Sequence, residues 1–170
     1  MTTIAYKNGE LAFESRVSED EEIVGSMVKG TRGKRHLAAA AGDSDVIQLF
    51  LLWVASGFEK KHKPKLEEDE DFTGWAIDSS GRLTEYTKSL KPLRYKADFY
   101  AIGTGAAYAK GAMAAGCTAR EAVEIAIQFD KNSGHPIHMY NIKDIQVDKK
   151  EKTSGSGGKN PRTGRTKKAT

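Results

Sequence analysis

The sequence of 170 residues has little cysteine and no long apolar segment. Its one cysteine, Cys117, excludes an intramolecular disulfide and a metal site built from several cysteines. This usage is typical of the reducing cytoplasm, where we expect the protein. No apolar run approaches the roughly 20 residues of a membrane span, so no membrane partner is expected. The N-terminal Met-Thr-Thr-Ile-Ala-Tyr-Lys also lacks the basic start and apolar core of a secretory signal.

Positive charge is scarce outside the C-terminal segment. The 27 Lys+Arg and 23 Asp+Glu residues give a net charge of +4, but residues 149–170 hold eight of the basic residues and one acidic residue. Residues 1–148 therefore carry 19 basic and 22 acidic residues, a net charge of −3. This distribution argues against a nucleic-acid groove across the body, and contact with nucleic acid is expected only through the tail. The sequence predicts one domain over 1–148 and a basic, disordered tail over 149–170.

The hydrophobic pattern predicts an α+β fold with mostly antiparallel sheets. Strands at 2–7 and 10–16 surround Asn8-Gly9, a strong hairpin signal. The acidic stretch from Ser18 to Glu22 is predicted as a loop, and the charged residues 59–71 as a surface excursion. Further strands are expected at 23–28, 36–41, 72–78, 82–86, 97–102 and 136–142, and helices at 46–58, 104–115 and 118–129.

The N-terminus offers the first candidate for chemistry. Met1 precedes a small residue, a situation in which aminopeptidases remove the initiator methionine. Thr2 would then carry a free α-amine beside its own hydroxyl, so one residue would supply both a nucleophile and a base. The reference pKa of an α-amine, about 7.7–8.0, suits proton transfer near neutral pH.

Five motifs follow one another between residues 2 and 142. The segment 2–18 begins with two threonines and ends in Glu14-Ser15-Arg16-Val17-Ser18. The other four are Met27-Val28-Lys29-Gly30, Ala40-Ala41-Gly42, Tyr100-Ala101-Ile102-Gly103-Thr104-Gly105 and Asp130-Lys131-Asn132-Ser133-Gly134. Together they resemble the proteasome β-subunits and the bacterial HslV peptidase, above all the short bacterial and phage HslV-like members.

The resemblance implies a fold and an activity. The fold would be a four-layer αββα sandwich of the N-terminal nucleophile hydrolase type. The activity would be that of a threonine-type endopeptidase, which cleaves peptide bonds through Thr2 after Met1 is removed and needs no cofactor or metal. Copies would form a self-compartmentalising homo-oligomeric ring that takes peptides or unfolded proteins, with an ATP-dependent unfoldase as a partner by analogy.

The resemblance also implies the roles of individual residues around the nucleophile. Lys29 would lie beside Thr2 as a cation, and Glu14 would pair with Lys29. The backbone N–H of Gly42 would face the developing oxyanion. Thr104, Asp130 and Ser133 would form a polar network around the Thr2 amine. Met27 and Ala40 would line the substrate pocket. Apolar walls in that pocket predict a preference for apolar side chains.

Departures from the family pattern leave alternatives open. Glu14 replaces an aspartate, Thr104 replaces a serine, and Asp43 brings a negative charge next to Gly42. One alternative is therefore a catalytically impaired, ring-forming scaffold protein, and another is an amidohydrolase acting on small amides. Lys34, in the predicted turn 32–35, is a rival for the role of Lys29, which we favour because it ends a predicted strand at the family-like distance from Gly42.

Overall fold

The computed structural model describes residues 2–19, 22–67 and 69–145. Met1 and the predicted tail, residues 149–170, lie outside these ranges. Ten strands, three α-helices and two short 3₁₀ helices form the described part. All strand pairings are antiparallel, as the pattern predicted.

The first sheet holds the N-terminus in a central position. Strand β1 (Thr3–Lys7) pairs with β2 (Glu10–Glu14) on one side and with β9 (Phe99–Gly103) on the other, and β10 (Ile137–Asn141) completes the order β10-β2-β1-β9. The predicted hairpin at Asn8-Gly9 is confirmed. Both turn residues have positive φ, 51° and 83°, which matches the twist of the flanking strands.

The second sheet has the order β5-β6-β7-β8 and consists of β5 (Gly30–Arg32), β6 (His36–Gly42), β7 (Phe72–Asp78) and β8 (Leu83–Thr87). Helix α1 (Ser44–Ala55) follows β6 and packs against β5, β6 and β7. The alanine-rich β6 lets this helix approach closely, because its small side chains alternate between the two faces of the sheet.

A third, two-stranded sheet contradicts the predicted acidic loop. Strand β3 (Arg16–Glu19) pairs with β4 (Glu22–Ser26), so the chain forms a second hairpin where Ser18 to Glu22 was expected to be irregular. Ile23 and Val24 on β4 are 65% and 56% exposed. The charges that suggested a loop belong to an exposed ribbon.

Two helices cover the outer face of the first sheet. Helix α2 (Ala106–Ala114) packs on β9 and β1, and α3 (Ala119–Phe129) packs on β1 and β2. The predicted capping box of α3 is confirmed, since the Thr118 side chain accepts from the Glu121 N–H while the Glu121 carboxylate accepts from the Thr118 N–H.

Three apolar clusters hold the fold together. Ile4, Phe13, Leu37 and Trp75 belong to the cluster between the two four-stranded sheets. A second cluster lies under α1, and a third, rich in alanine, lies under α2 and α3. Because β1 contributes to the first cluster through Ile4 and to the third through Ala5, its register is fixed on both faces.

The predicted four-layer αββα sandwich of the N-terminal nucleophile hydrolase type is wrong. The described residues form three helices and three antiparallel sheets, so strands predominate, and β3–β4 is separate from both larger sheets. Among the described residues, α1 is the one α-helix that packs on the outer face of the second sheet, so this face lacks a layer of helices. The physical reason lies in residues 56–71, where Gly57, Pro64 and many charges disfavour a second α-helix after α1, and only the short 3₁₀ helix Lys60–His62 forms among the described residues there.

None of the helices in the described ranges combines the length and the apolar character needed to cross a membrane.

Candidate functional site

Thr2 directly precedes β1, one of the two central strands of the first sheet. It is buried, and β9 ends beside it, since Thr3 pairs with Gly103. A Cβ atom on Gly103 would lie 1.8 Å from the carbonyl oxygen of Thr2, and the φ of Gly103 is +93°. Only glycine allows β9 to approach the N-terminal strand this closely.

Thr2 opens onto a pocket of about 330 Å³ between the ends of several strands. Two sequence-predicted residues, Gly42 and Thr104, line the same pocket. Gly42 also has a positive φ of +128°, and a Cβ there would lie 2.0 Å from the carbonyl oxygen of Asp71. The complete lining is Thr2, Ala41, Gly42, Asp43, Asp71, Thr73, Gly103 and Thr104.

A buried ion pair joins Glu14, the last residue of β2, to Lys29, the residue before β5. The Lys29 Nζ atom is 2.6 Å from Oε1 of Glu14, and the two side chains are 2% and 0% exposed. Lys29 also donates to the carbonyl oxygen of Arg16 at 2.5 Å. Oε2 of Glu14 accepts from the N–H groups of Arg16 and Gly134, at 2.7 and 3.0 Å. Both charges are therefore paired and hydrogen-bonded, which a buried ion pair requires.

Burial lowers the pKa of Lys29 below its ordinary value. The charge of Glu14 and its hydrogen bond act in the opposite direction, and the positive charge of Arg16 adds to the lowering. The pair is neutral overall, so its positive potential acts only at short range around Nζ of Lys29, where burial leaves little water to screen it.

A chain of hydroxyl groups leads from the N-terminal strand to Asp130. The Oγ1 atom of Thr3 is 2.6 Å from Oγ of Ser133, and Ser133 donates to Oδ2 of Asp130 at 2.6 Å. Since Ser133 has one hydroxyl hydrogen, Thr3 is the donor in the first bond. Thr104, which lines the pocket, donates to the same Oδ2 atom at 2.6 Å.

The hydrogen bonds decide the charge state of Asp130. Burial alone would raise its pKa, but donation from Ser133, Thr104 and Asn132 outweighs that effect and keeps the pKa of Asp130 below its ordinary value. The carboxylate is therefore ionised at neutral pH, and it orients the hydroxyl groups on both sides of the N-terminal strand.

Replacement of Asp130 by asparagine is expected to lower the free energy of unfolding at pH 7 by about 1–2 kcal/mol. A depressed folded-state pKa stabilises the protein above the unfolded pKa of about 3.9, and this stability is lost as the pH falls through the folded value. The difference between wild type and Asp130→Asn should therefore shrink below about pH 4 in thermal unfolding experiments. Asp98→Asn, at an exposed carboxylate, is the matched control. A difference that stays constant down to pH 3 would contradict the role of the ionised carboxylate.

The ion pair and the hydroxyl chain meet at one loop. Gly134 donates its N–H to Glu14, and the preceding residue, Ser133, bonds to Thr3 and Asp130. A Cβ on Gly134 would lie 2.2 Å from Nε of Arg16, so a larger residue here would displace the Arg16 side chain. The structure thus brings together Glu14, Lys29, Thr104, Asp130 and Ser133 around the strand that begins after Thr2.

Three other sequence-predicted residues do not line the pocket of Thr2. Ala40 is buried in the cluster under α1, and Met27 packs against the same cluster, whereas Ala41 lines the pocket of Thr2. Lys34, the rival of Lys29, is exposed in the turn between β5 and β6. Asp43 lines the pocket, and its carboxylate accepts from the N–H of Asp71 at 2.7 Å.

Several residues of the site had no role assigned from the sequence, among them Thr3, Asp71 and Thr73. Thr3 bonds to Ser133, and Asp71 and Thr73 line the pocket. The alternation of β1 could have indicated Thr3, because it shares a face with Ala5, toward α2 and α3, while Thr2 shares the face of Ile4. Asp71 lies at the end of the charged segment, and no signal in the sequence marks it.

The pocket of Thr2 is not the most spacious cavity in the described ranges. A cavity of about 620 Å³ opens at the far end of β1, lined in part by Tyr6, Asn8 and Tyr100. The candidate site is therefore identified by its polar network and its buried charges, not by its volume.

Comparison with known proteins adds a likeness in fold. No family model and no curated protein matches the sequence. A solved structure of Thiobacillus denitrificans BPH in complex with epoxomicin is similar at a TM-score of 0.57 and 17% sequence identity, over 82% of this chain and 96% of that one. A second structure of Thiobacillus denitrificans BPH matches at a TM-score of 0.55 and 17% identity, over 82% and 95% of the two chains. At this identity the likeness shows a shared fold alone.

Proposed function

We propose that this protein is a threonine-type endopeptidase that acts through the amino group and hydroxyl of Thr2 after Met1 has been removed. The observation that carries the proposal is that Thr2, Gly42 and Thr104 line one pocket. Two further features support it: the buried Lys29–Glu14 pair, and the chain of hydroxyl groups from Thr3 to Asp130. The complex of Thiobacillus denitrificans BPH with epoxomicin shows that a protein of similar fold binds that compound.

In the proposed first step, the hydroxyl of Thr2 attacks the carbonyl carbon of the scissile peptide bond. The α-amine of Thr2 takes the hydroxyl proton, directly or through a water molecule. The carbonyl oxygen becomes an oxyanion, and the backbone N–H of Gly42 donates to it. Lys29 lowers the pKa of the attacking hydroxyl by its positive charge, and Glu14 keeps that charge in position.

The intermediate then collapses to an ester between Thr2 and the acyl half of the substrate. The protonated α-amine returns its proton to the leaving nitrogen, so the C–N bond breaks and the amine product leaves. Water attacks the ester with the α-amine again as the base, which releases the acid product and restores the hydroxyl. Asp130, Ser133 and Thr104 position the N-terminal strand during both steps.

Assembly into a homo-oligomeric ring with an inner chamber belongs to the same proposal. Neighbouring exposed apolar side chains support an association of copies, because contiguous apolar patches mark interfaces: Ile23 with Val24 on β4, Leu49 with Leu52 on α1, and Tyr108 with Phe129, whose rings stack at 5.6 Å. Peptides or unfolded proteins would be the substrates, and an ATP-dependent unfoldase would supply the latter. A cytoplasmic location agrees with the single free cysteine.

The proposal is tested by intact mass measurement before and after incubation with epoxomicin. The expected result is a chain that lacks Met1 and gains the mass of one epoxomicin molecule, with the adduct mapped to Thr2 by peptide analysis. Retention of Met1 would contradict the proposal, since no free α-amine would exist at Thr2. Loss of Met1 without an adduct or peptide turnover would favour the scaffold protein, and turnover of small amides alone would favour the amidohydrolase.

A further inference from the structure

A second polar pocket lies on the outer face of the second sheet. Helix α1 packs against β5, β6 and β7, and a pocket of about 270 Å³ opens beside β7 and β8. This volume is at the lower limit for small-molecule sites and suits a small ion or group. The side chains of Thr84 and Tyr86 on β8 form its floor, and each of these residues is 9% exposed.

Arg94 brings a positive charge to this pocket. Its Nε atom donates to Oγ1 of Thr84 at 3.2 Å, which orients the guanidinium group. No carboxylate in the described part of the chain forms an ion pair with Arg94. Arg82, which lines the same pocket, differs in this respect, because Asp78 accepts from its Nε and Nη2 atoms at 2.9 and 2.8 Å. The pair of Arg82 and Asp78 is neutral, so the charge of Arg94 gives the pocket a net positive charge.

Two further groups in the pocket are suited to donating hydrogen bonds. The hydroxyl of Tyr86 has no hydrogen-bond partner among the described residues, and burial raises its pKa while Arg94 lowers it. The ring of His36 packs edge-on against Phe58, with the centroids 5.2 Å apart. Burial lowers the pKa of His36, and this effect outweighs the negative charge of Asp78, which raises it; the positive charge of Arg35 lowers it further. The ring is therefore neutral at pH 7 and keeps one N–H donor.

We propose that this pocket binds a phosphate group through the guanidinium of Arg94, the hydroxyl of Tyr86 and the imidazole of His36. The three groups come from the segment after β8, from β8 and from β6, so they can reach different oxygens of a tetrahedral anion. Charge-assisted donation from an arginine to a phosphate is among the strong hydrogen bonds in proteins. A carboxylate carries one negative charge and two oxygens in one plane, so we expect it to bind less tightly here than the more highly charged tetrahedral phosphate.

The phosphate pocket is separate from the site of Thr2 and extends beyond the proposed peptidase function. Strand β6 begins at His36 and ends at Gly42, and six residue steps of about 3.3 Å make this separation roughly 20 Å. The pockets of Thr2 and of Arg94 have no lining residue in common. Loss of phosphate binding and loss of the peptidase can therefore be observed independently.

The test is isothermal titration calorimetry of the full chain with inorganic phosphate at pH 7.5. Sodium chloride holds the ionic strength constant. The change Arg94→Gln is expected to weaken the affinity for phosphate at least about tenfold, because a charged hydrogen-bond donor is lost. Tyr86→Phe should weaken it about threefold, through the loss of one neutral donor. Lys91→Gln, an exposed cation in the same segment outside the pocket, is the matched control and should leave the affinity within about twofold.

Three results would overturn the phosphate site. Wild-type protein that shows no heat of binding at millimolar phosphate would do so. So would equal affinity of wild type and Arg94→Gln, which would indicate that phosphate binds elsewhere, for example to the basic residues 149–170. Acetate that binds as tightly as phosphate would contradict the preference for a tetrahedral anion. Because Arg94 is exposed, the circular dichroism spectrum and unfolding midpoint of Arg94→Gln without phosphate should match those of wild type.

Discussion

Replacement of Lys29 by alanine is expected to abolish the reaction with epoxomicin and to lower the free energy of unfolding by about 3–5 kcal/mol. The stability loss follows because Glu14, 0% exposed, would remain as a buried carboxylate without its cation. The activity loss follows because the positive potential of Lys29 would no longer favour the ionised form of the Thr2 hydroxyl. Urea unfolding measures the first effect, and the rate of adduct formation by mass spectrometry measures the second.

Two matched variants separate these effects of Lys29. Lys34→Ala removes an exposed lysine nearby and should change stability by less than about 0.5 kcal/mol. The double change Glu14→Gln with Lys29→Met removes both charges, so most of the lost stability should return while the reaction with epoxomicin stays absent. Return of the reaction in the double variant, or a larger loss in Lys34→Ala, would contradict the role given to Lys29.

Replacement of Thr2 by alanine is expected to reduce hydrolysis of a fluorogenic peptide by about 10⁴-fold or more. The reason is that the proposed nucleophile is lost while the α-amine, the oxyanion donor and the pocket remain. Stability should fall by only about 1 kcal/mol, because the change removes one small side chain at the start of β1. The elution volume in size-exclusion chromatography should match that of wild type.

Thr2→Ser is the matched control for this substitution. It keeps the hydroxyl and a small residue after Met1, so removal of Met1 and measurable hydrolysis should both persist. A variant Thr2→Ala that hydrolyses the peptide at the wild-type rate would exclude Thr2 as the nucleophile. Loss of hydrolysis together with a changed elution volume would instead indicate that the substitution disrupts the assembly of copies.

Signals confined to a few neighbouring residues predicted the local structure well. Asn8-Gly9 and the Thr118–Glu121 capping box act within one turn, so the hairpin and the start of α3 could be predicted without knowledge of the rest. The β3–β4 hairpin was predicted only in part, since the strand expected at 23–28 overlaps β4, whereas most of β3 lies in or next to the acidic stretch that was expected to be a loop. Local signals could not predict the arrangement of the layers either, because that arrangement depends on which sheet faces α1, α2 and α3 cover.

The candidate site was predicted in part through motifs and in part not at all. Glu14, Lys29, Asp130 and Ser133 were identified by resemblance, and the structure adds their contacts. The partner of Thr3 lies 130 residues away, so no local pattern could indicate that hydrogen bond. The run Ala38–Ala41 has no apolar–polar alternation, so the sequence could not tell that Ala41 lines the pocket while Ala40 faces α1.

The close approach of Gly103 to Thr2 bears on how such a site can diversify. The position of Thr2 depends on main-chain atoms of β9, since a Cβ on Gly103 would lie 1.8 Å from its carbonyl oxygen. Side chains that line the pocket, such as Ala41 and Thr73, take no part in that contact. Under the proposed function, mutations could therefore exchange the pocket walls, and with them the accepted substrates, without moving Thr2. The scaffold would then allow new specificities to evolve around a nucleophile whose place the backbone maintains.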